Sequence, residues 1–431
     1  MNLKKLTLIL FISFSCYSNA DDKTAPHVLT IDDVYFNENT ILEYTANYEN
    51  IIIPEKLDNM IVKNIDHGAF SSSGISSVVI PKTIIKIGAN AFQYNQLTSV
   101  VIPNSVVTLG ESAFYYNKLT RVVIPDSIVT IKSRTFGKNK LSSVVIPNSI
   151  VAIEREAFTE NNLTSIMLPN ALKTIGDHAF YYNHLSNLVI PNSVTSIGEK
   201  AFYNNKLINV DIPNSVVTIR SEAFFSNKLY SVIIPNSVME IGEKAFSDND
   251  LNNVIISNSV KMIGEGAFSH NKLSKVILPS SLTHIAKDIF KDNNLTNVVI
   301  PDSITGISEG AFSNNKLVSI VLPASLTSIG EEAFLVNKLT SVVIPESVAT
   351  IGKAAFASNR LTSVIIPSAI TIIEEDTFKE NVLVNVKIPK SVITIAQNAF
   401  LTNKLSSISI PNSAASIANE AFDKKVDVIL Q

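Results

Sequence analysis

LTSVVIPNSVVTLGESAF, residues 97–114, decides the fold. Its closing residue, Phe114, is one of seventeen phenylalanines that recur every 22 residues from Phe70 to Phe422 without a slip. The other four, Phe11, Phe14, Phe36 and Phe225, lie off this register. A fixed period of this length marks a stack of like units, none able to bury its apolar face alone. Around each marked Phe the columns repeat. Asn stands three residues after it in fifteen of sixteen units, Asn95 to Asn403, with Ser73 the exception. Leu follows at the fifth place, as in Leu97, Leu119 and Leu141. Pro holds in fifteen of sixteen units from Pro81 to Pro411, and Ser257 breaks it.

Each unit reads as one coil. Val100 and Ile102 share one side of a short strand, because side chains alternate along it. Pro103 ends that strand, since it cannot donate to a ladder. A second arm sends Val106 and Leu109 inward, and Ala-Phe closes the coil. The chain therefore reads as a β-rich solenoid of 22-residue repeats, with a parallel strand ladder of about 16–17 coils and a short N-terminal cap. At roughly 4.8 Å per coil, sixteen steps give a rod of roughly 77 Å.

The pattern LxxVxIPxSVxxIGxxAFxxN resembles the BspA-like, treponeme-type branch of the leucine-rich repeat family, over about residues 50–422. The resemblance implies a parallel-strand solenoid on a bacterial surface or secreted protein. It also implies adhesion, with some members binding matrix proteins such as fibronectin and fibrinogen. Two departures stand out: the family repeat is usually about one residue longer, and its Asn column often holds Cys or another small residue. No partner carries over residue by residue.

The 431 residues suggest two or three ordinary domains, but an unbroken period grows without splitting. Net charge is −3, which offers no footprint for nucleic acid or an anionic membrane. Residues 1–20 read as a signal peptide: Lys4 and Lys5, an apolar run from Leu6 to Phe14, then Ser18-Asn19-Ala20 before Asp21. The run is too short to span a bilayer, and no later stretch is long enough. Cleavage after Ala20 is the expectation. Lipid attachment at Cys16, the lone cysteine, is the alternative, set back by the bulky Phe14 in its box. The chain is thus expected outside the cytoplasm, secreted or at the cell surface. Residues 21–69 depart from the repeat and read as an N-terminal cap and atypical first unit; Pro54 to Phe70 spans 16 residues where Pro81 to Phe92 spans 11. Residues 70–422 are the solenoid, and 423–431 a C-terminal cap whose Lys424, Lys425 and Asp427 blunt the edge strand.

No constellation for catalysis stands out. The histidines His27, His67, His178, His184, His270 and His284 fall in different columns without metal-ligand spacing. Repeated hydroxyls such as Ser105 are turn elements rather than nucleophiles beside a base, and Gly88, Gly110, Gly176 and Gly198 read as turn residues. Near-identical copies do not supply the unlike groups a catalytic site needs, so the expectation is no enzyme, no metal and no cofactor. The Asn column reads as structural, bonding local backbone and the next Asn along the rod. A basic row (Lys118, Lys140, Lys206 and their successors) and an acidic row (Glu111, Asp177, Glu199 and theirs) read as solvated edges or as steering for an acidic partner.

Two features point to binding. The outward strand position, normally polar, is apolar in 13 of 16 units: Val79, Val101, Val123, Val145, Met167, Val189, Ile233, Ile255, Ile277, Val299, Val321, Val343 and Ile365; only Asp211, Lys387 and Ser409 break it. Either β-branched residues simply suit a ladder, or this is an apolar strip with a polar rim built for a partner. Second, all repeat tyrosines lie between 94 and 230: Tyr94, Tyr115, Tyr116, Tyr181, Tyr182, Tyr203 and Tyr230. They read as rings packed between coils or as interface anchors. The leading function is an exported protein-binding chain, an adhesin for host or neighbouring-cell proteins. The alternatives are a self-associating envelope protein, the strip pairing with another copy, and a polysaccharide binder using the Tyr row.

Overall fold

The computed structural model describes residues 25–431. The signal-peptide reading, Cys16 and the cleavage point before Asp21 lie outside the described residues.

The chain forms a β-solenoid. Each repeat carries a second-arm strand, such as Thr108–Leu109, and most carry a first-arm strand, such as Ser99–Val101; the first arms at Val145, Met167, Val321 and Val343 form none. Strands pair in parallel with their equivalents 22 residues away: Ser99 faces Arg121, and Thr174 faces Ser196. The Pro column acts as expected. The Pro103 carbonyl accepts from the Val106 N–H at 3.0 Å, turning the chain from one arm into the other. A third run of coil-to-coil bonds follows the closing arm, where the Phe92 N–H donates to the Ala113 carbonyl at 2.8 Å and every later coil repeats it.

The phenylalanines form one file through the core. Neighbouring rings lie 5.0 to 5.9 Å apart, nearly parallel, from Phe70 to Phe422. Burying a ring of this size in every coil is the largest apolar contribution each unit makes. Tyr44 heads the file, 5.4 Å from Phe70, and its hydroxyl donates to the Tyr48 carbonyl at 3.0 Å. A ring that carries its own hydrogen-bonding group suits the end of an apolar file.

The N-terminal region builds on the same ladders. His27–Val28 pairs in parallel with Asn50–Ile52, and Thr40–Tyr44 with Asn64–Ile65. Two antiparallel hairpins are added: Val34–Asn37 with Thr40–Tyr44, and Lys56–Leu57 with Met60–Ile61. The second is the five-residue surplus between Pro54 and Phe70. Its turn places Asp58 and Asn59 at φ 47° and 63°, as a two-residue hairpin with both central residues left-handed demands. At the other end Asp427–Leu430 pairs with Ser407–Ile410. Lys424 and Lys425 precede this strand rather than lie in it, and the strand itself exposes Val428, Ile429 and Leu430. The basic pair thus lies beside the edge strand, and Asp427 is the strand's one charge.

The glycine column differs from its reading as a turn element. A Cβ on Gly110 would sit 2.3 Å from the Ala89 nitrogen and 2.4 Å from the Gly88 carbonyl carbon. Glycine there permits close approach of successive backbones, not a positive φ. The left-handed positions lie two residues either side of each marked Phe from Phe70 to Phe400 and are held by residues such as Arg134, Lys138, Glu156 and Val336.

Candidate binding surface

The Asn column binds the coils together, by a route different from the expected Asn–Asn ladder. Asn117 Oδ1 accepts from the Leu97 N–H at 3.0 Å, and its Nδ2 donates to the Phe92 carbonyl at 2.8 Å, both in the preceding coil. All fifteen, from Asn95 to Asn403, repeat both bonds and are buried. The amide suits the place because one side chain supplies both an acceptor and a donor to backbone groups that water does not reach. The hydroxyl column does similar work, with Ser105 Oγ donating to the Ile84 carbonyl at 2.6 Å. The amides and most of the hydroxyls are occupied in holding coils together; the buried hydroxyls of Thr83, Ser215 and Ser237 have no hydrogen-bond partner among the described residues.

The charged rows do not pair with each other. Acidic-row members meet basic residues on their own side of the coil, as in Glu243–Lys244 at 2.9 Å and Glu375–Lys353 at 2.9 Å. The basic row, from Lys118 to Lys404, is exposed along the Asn turn. The six histidines are scattered, His178 and His184 at different parts of one coil, and among the described residues no group of three or more potential ligands is poised to hold a metal ion. No helix among them is long and apolar enough to cross a membrane.

The outward apolar residues all face solvent. The thirteen range from 47% exposed at Val299 to 86% at Met167, while their strand neighbours Val232 and Ile234 are 2% and 1% exposed. Strand alternation alone produces this split. The polar rim is present: Ser99, Ser143, Asn187, Asn209, Asn253 and Asn297 are exposed and Ser231 is half-buried. Along this face the first-arm strands are hydrogen-bonded mostly in pairs, such as Ser231–Ile234 with Asn253–Ile256, whereas the second-arm ladder runs unbroken through seven strands from Thr130–Ile131 to Met262–Ile263. The strip is interrupted at Asp211, where a shallow depression is lined by Asn192, Asp211, Asn214, Ile233, Asn236 and Ile255.

The tyrosines separate into two clusters. Tyr94 touches Tyr116 and Tyr115, at 5.2 and 6.0 Å. Tyr181, Tyr182 and Tyr203 form the second, at 4.5 to 5.8 Å. Gly137-Lys138 and Thr159-Glu160 stand in the intervening coils. Phe225, read as off-register, belongs to the second cluster and stacks on Tyr203 at 4.9 Å. Its place one residue after Phe224, the place Tyr181 and Tyr203 occupy in their coils, was the available signal. Residues one after the marked Phe pack inward, and burial pushes the hydroxyls of Tyr115, Tyr181 and Tyr203 above the ordinary phenol range. Residues two after it, Tyr94, Tyr116 and Tyr182, are about half exposed at left-handed φ. Tyr230 lies outside both clusters and is exposed. His178 packs against Tyr181, and burial, followed by the nearby Lys200 charge, holds its imidazole below the ordinary range.

Known proteins place this geometry. A leucine-rich repeat protein from Bacteroides ovatus superposes with a TM-score of 0.52 at 22% identity, over 92% of this chain and 97% of that one. YopM from Yersinia enterocolitica gives 0.48 at 17% identity, over 95% and 92%. A leucine rich cell surface protein from Faecalibacterium prausnitzii gives 0.31 at 23% identity, over 92% and 91%. No curated protein sequence matches the chain. The family profile described as "BspA type Leucine rich repeat region (6 copies)" matches residues 35–161, 151–272, 261–382 and 349–428. The chain belongs to the BspA-type leucine-rich repeat family.

Proposed function

We propose that the chain is an exported protein-binding rod, an adhesin for proteins of a host or a neighbouring cell, and that the outward strip is its contact face. The observation that carries this reading is the exposure of thirteen apolar side chains in one line, with a polar rim beside them. Isolated exposed apolar residues need no explanation, but here they fall in two ordered runs on one face, six from Val79 to Val189 and seven from Ile233 to Ile365, on either side of Asp211. Export rests on Lys4, Lys5, the apolar run to Phe14 and the Ser18-Asn19-Ala20 site.

The test is capture by immobilised fibrinogen and fibronectin, the matrix proteins that the family resemblance suggests. Replacing Ile233, Ile255 and Ile277 together with Lys removes no core contact, because all three face outward. The expected result is loss of capture with an unchanged circular dichroism spectrum and melting temperature. Capture at the wild-type level would sink the strip as the contact face. A polysaccharide-binding role rests instead on the exposed rings of Tyr116 and Tyr182. It requires binding that survives the triple lysine variant and falls with Tyr116→Ala and Tyr182→Ala.

A further inference from the structure

The strip from Asp211 to Lys387 holds two charges and seven apolar residues between them: Ile233, Ile255, Ile277, Val299, Val321, Val343 and Ile365. The charges are opposite in sign and eight coils apart, since 387 − 211 = 8 × 22. Both side chains are exposed on their strands, and among the described residues neither is in an ion pair.

We propose that this segment pairs face to face with the same segment of a second copy, the two rods running antiparallel about a two-fold axis through Val299. Such an axis sets Asp211 against Lys387 of the other copy, and Lys387 against its Asp211. Between them Ile233 meets Ile365, Ile255 meets Val343, and Ile277 meets Val321. A two-fold can match any two positions on a rod. Here it matches the segment's only two charges, in opposite sign, and leaves every other facing position apolar. The parallel arrangement sets Asp211 against Asp211 and Lys387 against Lys387, so charge selects the antiparallel one.

The shape at Asp211 supports the same occupant. Its side chain is short, and the depression around it is bordered by Asn192, Asn214 and Asn236, the last already accepting from the Ser257 hydroxyl at 2.6 Å. The exposed Asp211 carboxylate, beside Ile233 and Ile255, accepts an ammonium group, and Lys387 has the reach to deliver one. On the rim Asp302 falls beside its own symmetry copy, exposed and screened by solvent. Nine facing coils at about 4.8 Å and a strand about 10 Å wide cover roughly 400 Å² on each copy. That total of roughly 800 Å² is small for a specific interface, so the dimer forms at micromolar concentration or above.

This inference rests on the strip being a contact face, and its test stands apart from matrix-protein capture. Sedimentation velocity on the purified chain, from about 1 to about 200 μM, reads the dimer directly. Asp211→Lys and Lys387→Asp each set like charges together twice per dimer and are expected to weaken it at least about tenfold. The double variant Asp211→Lys/Lys387→Asp restores the opposite pairing and is expected to return within about threefold of wild type. Circular dichroism melts show that each variant is folded. A wild-type chain that stays monomeric throughout, single variants that dimerise like wild type, or a double variant no better than the singles each overturn the proposal. If that happens while the triple lysine variant still loses fibrinogen or fibronectin capture, the strip serves another protein and self-pairing alone falls.

Discussion

Replacing Asn227 with Ala removes the acceptor for the Leu207 N–H and the donor to the Phe202 carbonyl, 3.0 and 2.9 Å away. The two other carbonyls it touches keep partners: Phe224 receives Asn249 Nδ2 at 2.9 Å, and Phe225 receives the Asn204 N–H at 2.9 Å. Two groups are therefore orphaned, not four. Asn227 is 2% exposed and Leu207 0%, so water cannot take over without opening the coil. At about 1–3 kcal/mol for each unsatisfied buried group, the expected cost is about 2–6 kcal/mol. Asn227→Asp adds a signature that lost packing cannot mimic. Its carboxylate still accepts from Leu207 but faces the Phe202 carbonyl with no donor. Burial raises its folded pKa above the unfolded value, so the variant loses stability as pH rises through that interval and recovers as pH falls. Urea unfolding of the wild type and both variants at neutral pH and near pH 4 gives the magnitudes. Native-state exchange of the Leu207 amide locates the lesion. A cost for Asn227→Ala below about 1 kcal/mol, or a Leu207 amide that exchanges as in wild type, would refute the bridging role.

Two further outcomes follow from single coils. Gly110→Ala puts a methyl against the backbone of the preceding coil, 2.3 Å from the Ala89 nitrogen, and is expected to cost about 1–3 kcal/mol in urea unfolding; a neutral result would show that the coils are not in close contact there. His178 has a buried Nδ1 that lacks a hydrogen-bond partner among the described residues, and its folded pKa lies below the ordinary imidazole value. Its contribution to stability is complete above the unfolded pKa of about 6.5 and is lost as pH falls below it, because the unfolded chain binds the proton more readily. His178→Gln is accordingly expected to flatten the dependence of unfolding on pH between about 7 and 5, and an unchanged slope would count against the burial of this ring.

Much of the architecture was legible in the sequence because most columns hold one kind of residue. Seventeen phenylalanines at a constant interval are a core file, and alternation about Val100 and Ile102 separates inward from outward without further information. The local backbone bonds of the Asn column were legible, as in Asn117 Nδ2 to the Phe114 carbonyl, but its bonds to the preceding coil were not. Its partners are backbone groups 20 and 25 residues earlier, and a main-chain N–H carries no sequence signature. The glycines misled for a related reason. Gly110 reads as a turn residue, yet its constraint is the backbone beneath it, while the left-handed positions carry Arg134, Glu156 and Val336, types that do not advertise that conformation. Tyr44 escaped notice as head of the Phe file because the hairpin at Lys56–Ile61 shifts the spacing before Phe70. The strip was visible as a pattern. Its two charges, Asp211 and Lys387, stand at the two ends of nine successive coils on that face.

The bonds of the Asn column have a bearing on how such a gene can vary. Every coil grips its predecessor through the same offsets, Asn117 reaching back 20 residues to Leu97 and 25 to Phe92, whichever coils those happen to be. Any internal duplication or loss of 22 residues reproduces all of these contacts at the new junction, at whatever point in the repeat the break falls. An insertion of another length keeps the ring file and both ladders in step only where it leaves the coil as a loop, as the Lys56–Ile61 hairpin does. Heritable change in this chain is thereby channelled: altering one letter of a buried column is costly, while whole coils can be copied or dropped, each moving the rod's tip by about 4.8 Å. Reach, for a molecule of this construction, is the property most easily tuned by descent.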